Sequence, residues 1–206
     1  MNAPRPPLNL FRRRALLTSL AIASLTGVSA CDPNKPQFVS IDITGADYAR
    51  SFRLPDQHGQ VRTLDDFKGK VVAVFFGYTQ CPDVCPTTLT EWVEIKRQLG
   101  AEGDRLQGLF ITVDPARDTP EVLKAYMGNF DPTFLALIPE NAEALAQVAK
   151  EFKIIYKKVD GKTPGSYTMD HSAGSYLFDP QGRLRLYSRY GSKMEGLVAD
   201  IRLLLK

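Results

Sequence analysis

Residues 71–86, VVAVFFGYTQCPDVCP, constrain the fold of this chain more than any other stretch. The run Val71 to Phe76 is β-branched and aromatic, too short to span a bilayer, and closed by Gly77, which describes a strand buried on both faces. Strands of that kind lie inside α/β sheets. Two cysteines three residues apart follow at once. Pro86 suits the first position of a helix, which predicts Cys85 at the cap and a helix starting near Thr87. A thiol there meets the positive end of the helix dipole, an environment that favours thiolate, the form that binds metals and attacks disulfides. The stretch therefore delivers two thiols to a protein edge, to hold a soft metal or to exchange a disulfide. Helical residues four apart hold their Cβ atoms about 5–6 Å apart, whereas a disulfide wants roughly 3.5–4.5 Å. A Cys81–Cys85 bridge thus requires an irregular turn or carries strain. A small structural disulfide is the blander alternative, and its five-residue loop would restrain little chain entropy.

Compartment follows from the other end of the 206-residue chain. Arg12, Arg13 and Arg14 precede an apolar stretch from Ala15 to Val28, and Ser29-Ala30-Cys31 closes it. This pattern resembles a bacterial lipoprotein signal over residues 1–30, with Cys31 as the lipid-bearing first residue of the mature protein. The paired arginines also resemble a twin-arginine signal, so Sec and twin-arginine export both stay open. The apolar run is shorter than the ~20 residues that cross a bilayer. In the signals it resembles, an acidic residue after the lipidated cysteine implies retention at the inner membrane, and Asp32 fits. The expectation is an inner-membrane-anchored lipoprotein of the bacterial cell envelope, facing the periplasm.

Removing residues 1–30 leaves 176 residues, a single-domain size. Four arginines leave with the signal and no acids, so the net charge falls from +3 to −1. No basic patch remains to argue for nucleic acid. Three cysteines less Cys31 leave Cys81 and Cys85, in a compartment where thiols oxidise unless a reductant or a metal keeps them.

Residues 31–47, with Pro33, Pro36 and Gly45, read as a membrane tether with a short strand at Phe38 to Ile43; residues 48–206 read as the folded domain. Ser51 to Leu54 and Gln60 to Leu64 flank Asp56-Gln57-His58-Gly59, an antiparallel hairpin pattern with His58 exposed at its tip. Leu89, Trp92, Val93 and Leu99 keep helical spacing up to Gly100. Leu106 to Val113 is the next strand. Thr119 caps a helix with Pro120 at its first position, and Arg117 and Asp118 read as capping and ion-pair residues rather than as chemistry. Phe134 to Ile138 is a short strand, Asn141 caps a helix, and Ile154 to Val159 is a further strand. Asp160 to Ser172, DGKTPGSYTMDHS, is the one long stretch without periodicity and is expected to be a functional loop. It carries His171, the second of two histidines. Ala173 to Phe178 and Arg183 to Arg189 form a hairpin around Asp179-Pro180-Gln181-Gly182, and a helix burying Leu197, Ile201, Leu204 and Leu205 ends the chain.

Strand, helix, strand, helix, then a hairpin and a helix, with thiols at the first strand-to-helix junction, is an α/β layout of thioredoxin-like type. It implies a central mixed sheet flanked by helices, with an N-terminal hairpin and an inserted loop. In such folds that junction lies at the carboxyl ends of parallel strands, where ligands bind. The departures from thioredoxin are the three residues between the cysteines and the missing tryptophan before the first.

The words GYTQCPDVCP, TVDPARDTP and the DHS at 170–172 followed by YLFDPQGRL resemble the Sco/SenC family of copper proteins that assemble cytochrome oxidase. They recur in order across Phe52 to Lys206. The resemblance implies a metal site at Cys81, Cys85 and His171, with Met169 where an aliphatic residue is more usual. A loop histidine alone would read as a hydrogen-bonded residue; the resemblance reverses that reading. Two thiolates and one imidazole suit copper as Cu(I) or Cu(II), while structural zinc usually takes four protein ligands. Asp170 is expected either to orient the imidazole or to cap a turn, and metal binding is expected to order the loop.

Three functions compete. A copper metallochaperone would pass one ion to the binuclear copper centre of cytochrome c oxidase, its partners being the copper-binding oxidase subunit and a copper donor or thiol reductant. A thiol-disulfide oxidoreductase would use Cys81 and Cys85 as redox-active residues that reduce the cysteines of that subunit. A membrane-tethered copper or redox sensor fits the same residues. A peroxidase does not, because the peroxiredoxin signature sets Thr three positions before its reactive cysteine and Thr79 lies two before Cys81.

Overall fold

The computed structural model describes residues 36–206. Residues 1–30, read as an export signal, and Cys31 and Asp32 lie outside the described residues. One compact unit spans Gln37–Lys206. In chain order its elements are strands β1 (Ile41–Asp42), β2 (Leu54–Pro55), β3 (Val61–Arg62) and β4 (Val71–Gly77), helix α1 (Val84–Leu99), β5 (Leu106–Thr112), α2 (Pro120–Met127), β6 (Leu135–Leu137), α3 (Ala142–Glu151), β7 (Tyr156–Asp160), β8 (Tyr167–His171), β9 (Ser175–Phe178), β10 (Leu184–Ser188) and α4 (Met194–Leu204). Six strands form a mixed sheet in the order β1-β10-β9-β4-β5-β6. β4, β5 and β6 run parallel; on the other side of β4, β9 pairs antiparallel with β4 and β10 antiparallel with β9. The thioredoxin-like α/β expectation holds.

β4 is buried at all seven positions, as its apolar run requires. Val72, Val74 and Phe76 enter one core with the N-terminal hairpin and α3, whereas Val71, Ala73 and Phe75 enter the other with α1, α2 and α4. Each valine or phenylalanine among them taken fully out of water contributes about 1.5–3 kcal/mol, so the central strand anchors both layers. The caps fall where expected: Thr119 Oγ1 accepts from Val122 N at 3.3 Å and Asn141 Oδ1 from Ala144 N at 2.9 Å.

The hairpin β2–β3 forms, with His58 exposed at its turn. Asp56 organises that turn, accepting from the N–H groups of His58 and Gln60 at 2.8 and 3.0 Å and from Arg62 Nε at 2.8 Å. The segment read as a tether contributes β1, which pairs with β10, and the buried carboxylate of Asp200 on α4 accepts from Val39 N and Ser40 N at 2.8 and 2.7 Å. No helix among the described residues is long and apolar enough to cross a membrane.

Two local expectations change. The first helix starts at Val84, with Asp83 as its cap, so Cys85 and Pro86 both sit inside the first turn. Proline is tolerated there because first-turn N–H groups have no partner within the helix. The stretch Asp160 to Ser172 is not one continuous loop: β7 and β8 pair along their whole length, from Tyr156 opposite His171 to Asp160 opposite Tyr167, leaving residues 161–166 as the tip of an antiparallel arm. Tyr167, Met169 and His171 share the inner face of β8, while Thr168 and Asp170 face out.

Candidate metal centre

The centre is built where β4 ends. Gly77 closes the strand, Cys81 follows a turn in which its N–H donates to the Tyr78 carbonyl at 3.2 Å, and Cys85 enters on the first turn of α1. Both cysteines are unpaired. Cys85 has no exposed surface and Cys81 is half-buried. Burial pushes the Cys85 thiol well above its ordinary range, against a backbone hydrogen bond from Tyr78 that pulls it down. This corrects the expectation of a thiolate at the helix end. A helix dipole is worth about 0.3–1 kcal/mol, whereas full burial moves a pKa by up to ~3–5 units at ~1.4 kcal/mol each. Desolvation wins, and the metal-free site holds Cys85 as a thiol.

His171 arrives from the far side on the last residue of β8. Its Nδ1 lies 3.1 Å from the Ser172 carbonyl, which can only accept, so Nδ1 carries the proton and Nε2 keeps its lone pair. Nε2 faces Cys85 Sγ at 3.6 Å. Burial depresses the imidazole pKa, keeping the ring neutral and able to ligate. Phe75 and Tyr78 stand edge-on to the ring, each with centroids 5.9 Å away, and fix its orientation. Asp170 does not do so: it is exposed on the outer face of the arm, across from Lys157. Strand alternation puts adjacent residues on opposite faces.

The ligand atoms of Cys81, Cys85 and His171 all lie within 4.8 Å of one another, the one such group of His, Cys, Asp or Glu side chains among the described residues. Donors about 2.3 Å from a shared ion are at most ~4.6 Å apart, so small side-chain adjustments bring all three into one coordination sphere. Two sulfurs and one imidazole nitrogen fit a soft ion.

Asp118, read from sequence as an ion-pair residue, supports the centre from below. Fully buried, it accepts from Thr79 Oγ1 and Thr112 Oγ1, each at 2.6 Å, and from Thr79 N at 3.1 Å, tying the cysteine loop to the end of β5. Burial raises its carboxyl pKa, opposed by the threonine hydrogen bonds. The sequence signal for this role was the polar ARDTP word placed between a strand and a helix.

A model of the SCO1/SenC family matches residues 41–206. The chain is 36% identical over 174 residues to a SCO2-like protein of Rickettsia felis, covering 80% of this chain and 84% of the relative. The copper-bound structure of Bradyrhizobium japonicum ScoI superposes with a TM-score of 0.67 at 41% identity, covering 75% of this chain and 97% of that one. Copper-bound yeast Sco1 superposes with a TM-score of 0.67 at 33% identity, covering 74% of this chain and 85% of that one.

Proposed function

The chain belongs to the SCO1/SenC family, and from that premise we propose that it is a copper metallochaperone, holding one copper ion between Cys81, Cys85 and His171 and delivering it to the binuclear copper centre of cytochrome c oxidase. The observation that carries this reading is the approach of two sulfurs and one imidazole nitrogen to within 4.8 Å of one another.

Each residue has a distinct task. Cys85, buried and protonated in the metal-free protein, gives up its proton as it takes the cargo, so loading is coupled to proton release. Cys81 is the more exposed sulfur, the one a recipient thiolate reaches first. His171, with Nδ1–H held by Ser172, offers Nε2 without a change of tautomer. Transfer then exchanges these ligands one at a time for those of the copper-binding oxidase subunit. A copper donor or a thiol reductant supplies the loaded or reduced state. Lipidation at Cys31 would tether the protein to the periplasmic face of the inner membrane, where that subunit exposes its metal site.

The two unpaired sulfurs also support a second reading, a dithiol that reduces the recipient's cysteines. Metal analysis of the reduced protein with and without His171→Ala separates the two. The chaperone reading expects one equivalent of copper on the wild-type chain, a sulfur-to-Cu(II) charge-transfer band, and loss of retention in the variant. Negligible uptake by the wild type, with thiol exchange intact in both proteins, would leave only the dithiol.

A further inference from the structure

Arg117 joins the two halves of the metal centre. It lies in the loop between β5 and α2, and its side chain is largely buried, 19% exposed. Nε donates to the Asp114 carboxylate. Nη1 donates to Gln80 Oε1 at 2.9 Å and to the backbone carbonyl of Tyr167 at 3.0 Å. The guanidinium carbon lies 3.5 Å from the centre of the Tyr167 ring, and the Tyr167 hydroxyl donates to the other Asp114 oxygen at 2.9 Å. Gln80 immediately precedes Cys81. Tyr167 opens β8 and shares its inner face with His171 at the other end.

We propose that Arg117 is the positioning residue of the centre, holding the arm that carries His171 in register with the loop that carries Cys81. Tyr167 is gripped at its carbonyl, its ring face and its hydroxyl, so β8 cannot lift from the cysteine loop without breaking all three contacts. Arg117 Nη2 is buried without an acceptor among the described residues. A buried donor left unpaired costs free energy, and an arginine serving only the surface would turn that nitrogen to water. The site instead keeps the guanidinium where Nη1 and its flat face both reach the arm while Nε holds Asp114. A lysine offers neither the fork nor the stacking plane.

This inference relies on the copper reading for one of its two measurements and not for the other. The first compares amide hydrogen exchange in metal-free wild type and Arg117→Ala. The expected result is loss of protection across Tyr167–His171 while β4 and β5 keep theirs; unchanged protection of the arm overturns the proposal. The second is a double-mutant cycle on Cu(I) affinity with Arg117→Ala and His171→Ala. Arg117→Ala alone is expected to weaken binding by about tenfold or more, equivalent to ~1.4 kcal/mol, and the double variant to bind no more weakly than His171→Ala. Additive losses would mean that Arg117 does not act through His171. Should Arg117→Ala fail to fold, Arg117→Lys carries both measurements with the same expected signs. If the wild type takes up no copper, the metallochaperone reading falls and the exchange measurement still decides the role of Arg117.

Discussion

The space a side chain on Gly77 would fill is taken by the sulfur of Cys85. A Cβ built there would stand 2.7 Å from Cys85 Sγ and 2.6 Å from the Phe110 ring. The last residue of the central strand is thus a glycine for packing rather than for backbone freedom, and its missing side chain lets the first turn of α1 press a thiol against the sheet.

Gly77→Ala is accordingly expected to displace Cys85 Sγ. Overpacking of this kind costs about 1–3 kcal/mol of stability, and misplacing one ligand weakens copper binding by about tenfold or more. Thermal unfolding and copper titration read the two effects. A variant as stable and as tight-binding as wild type would show that the neighbours give way freely.

Tyr126→Phe is expected to stabilise the domain. The hydroxyl is buried and has no hydrogen-bond partner among the described residues, while the ring packs against Phe110 and Phe130. Removing the oxygen deletes an unmet desolvation cost of about 1–3 kcal/mol and keeps the ring contacts. The check is denaturant unfolding, with a higher midpoint and an unchanged slope; a lower midpoint would reveal a hidden partner for the hydroxyl.

Asp200→Ala is expected to detach the N-terminal strap. Its carboxylate holds the N–H groups of Val39 and Ser40, and hydrogen bonds to a charged group are worth about 1.5–3 kcal/mol each. Amide exchange should speed up at Val39, Ser40 and β1 while β4 stays protected. Equal protection along the strap in both proteins would contradict this role.

Acid should release the contribution of Asp56. Burial works against its ionisation, but hydrogen bonds from Arg62, His58 and Gln60 outweigh it, and the carboxyl titrates below its usual range. The unfolded chain therefore binds that proton more readily than the folded one. The stabilisation is fully present above about pH 4, the ordinary aspartate value, and is lost as pH falls through the lower folded-state value. The melting-temperature gap between wild type and Asp56→Asn should be widest near neutral pH and narrow in acid; a gap that does not change with pH would exclude the mechanism.

Much of this molecule is legible in residue order. The runs at β4 and β5, the caps Thr119 and Asn141, the Asp179–Gly182 turn with Gly182 at φ +76, and the two thiols after Gly77 are local signals, and all stand where the pattern puts them. The β7–β8 arm was harder to see. Its alternation is carried by Tyr167, Met169 and His171 against Thr168 and Asp170, and the Gly- and Pro-containing tip at 161–166 hides it.

Residue order alone specifies the donor types, their place at the end of a buried strand, and the layered α/β order, because periodicity and turn chemistry act over a few residues. Only the folded chain brings His171 Nε2 to Cys85 Sγ across 86 residues and Asp118 to Thr79 across 39, and only its burial raises the pKa of Cys85 at a helix terminus. Proximity and desolvation depend on what the folded chain brings opposite a residue, and no neighbour in sequence carries that information.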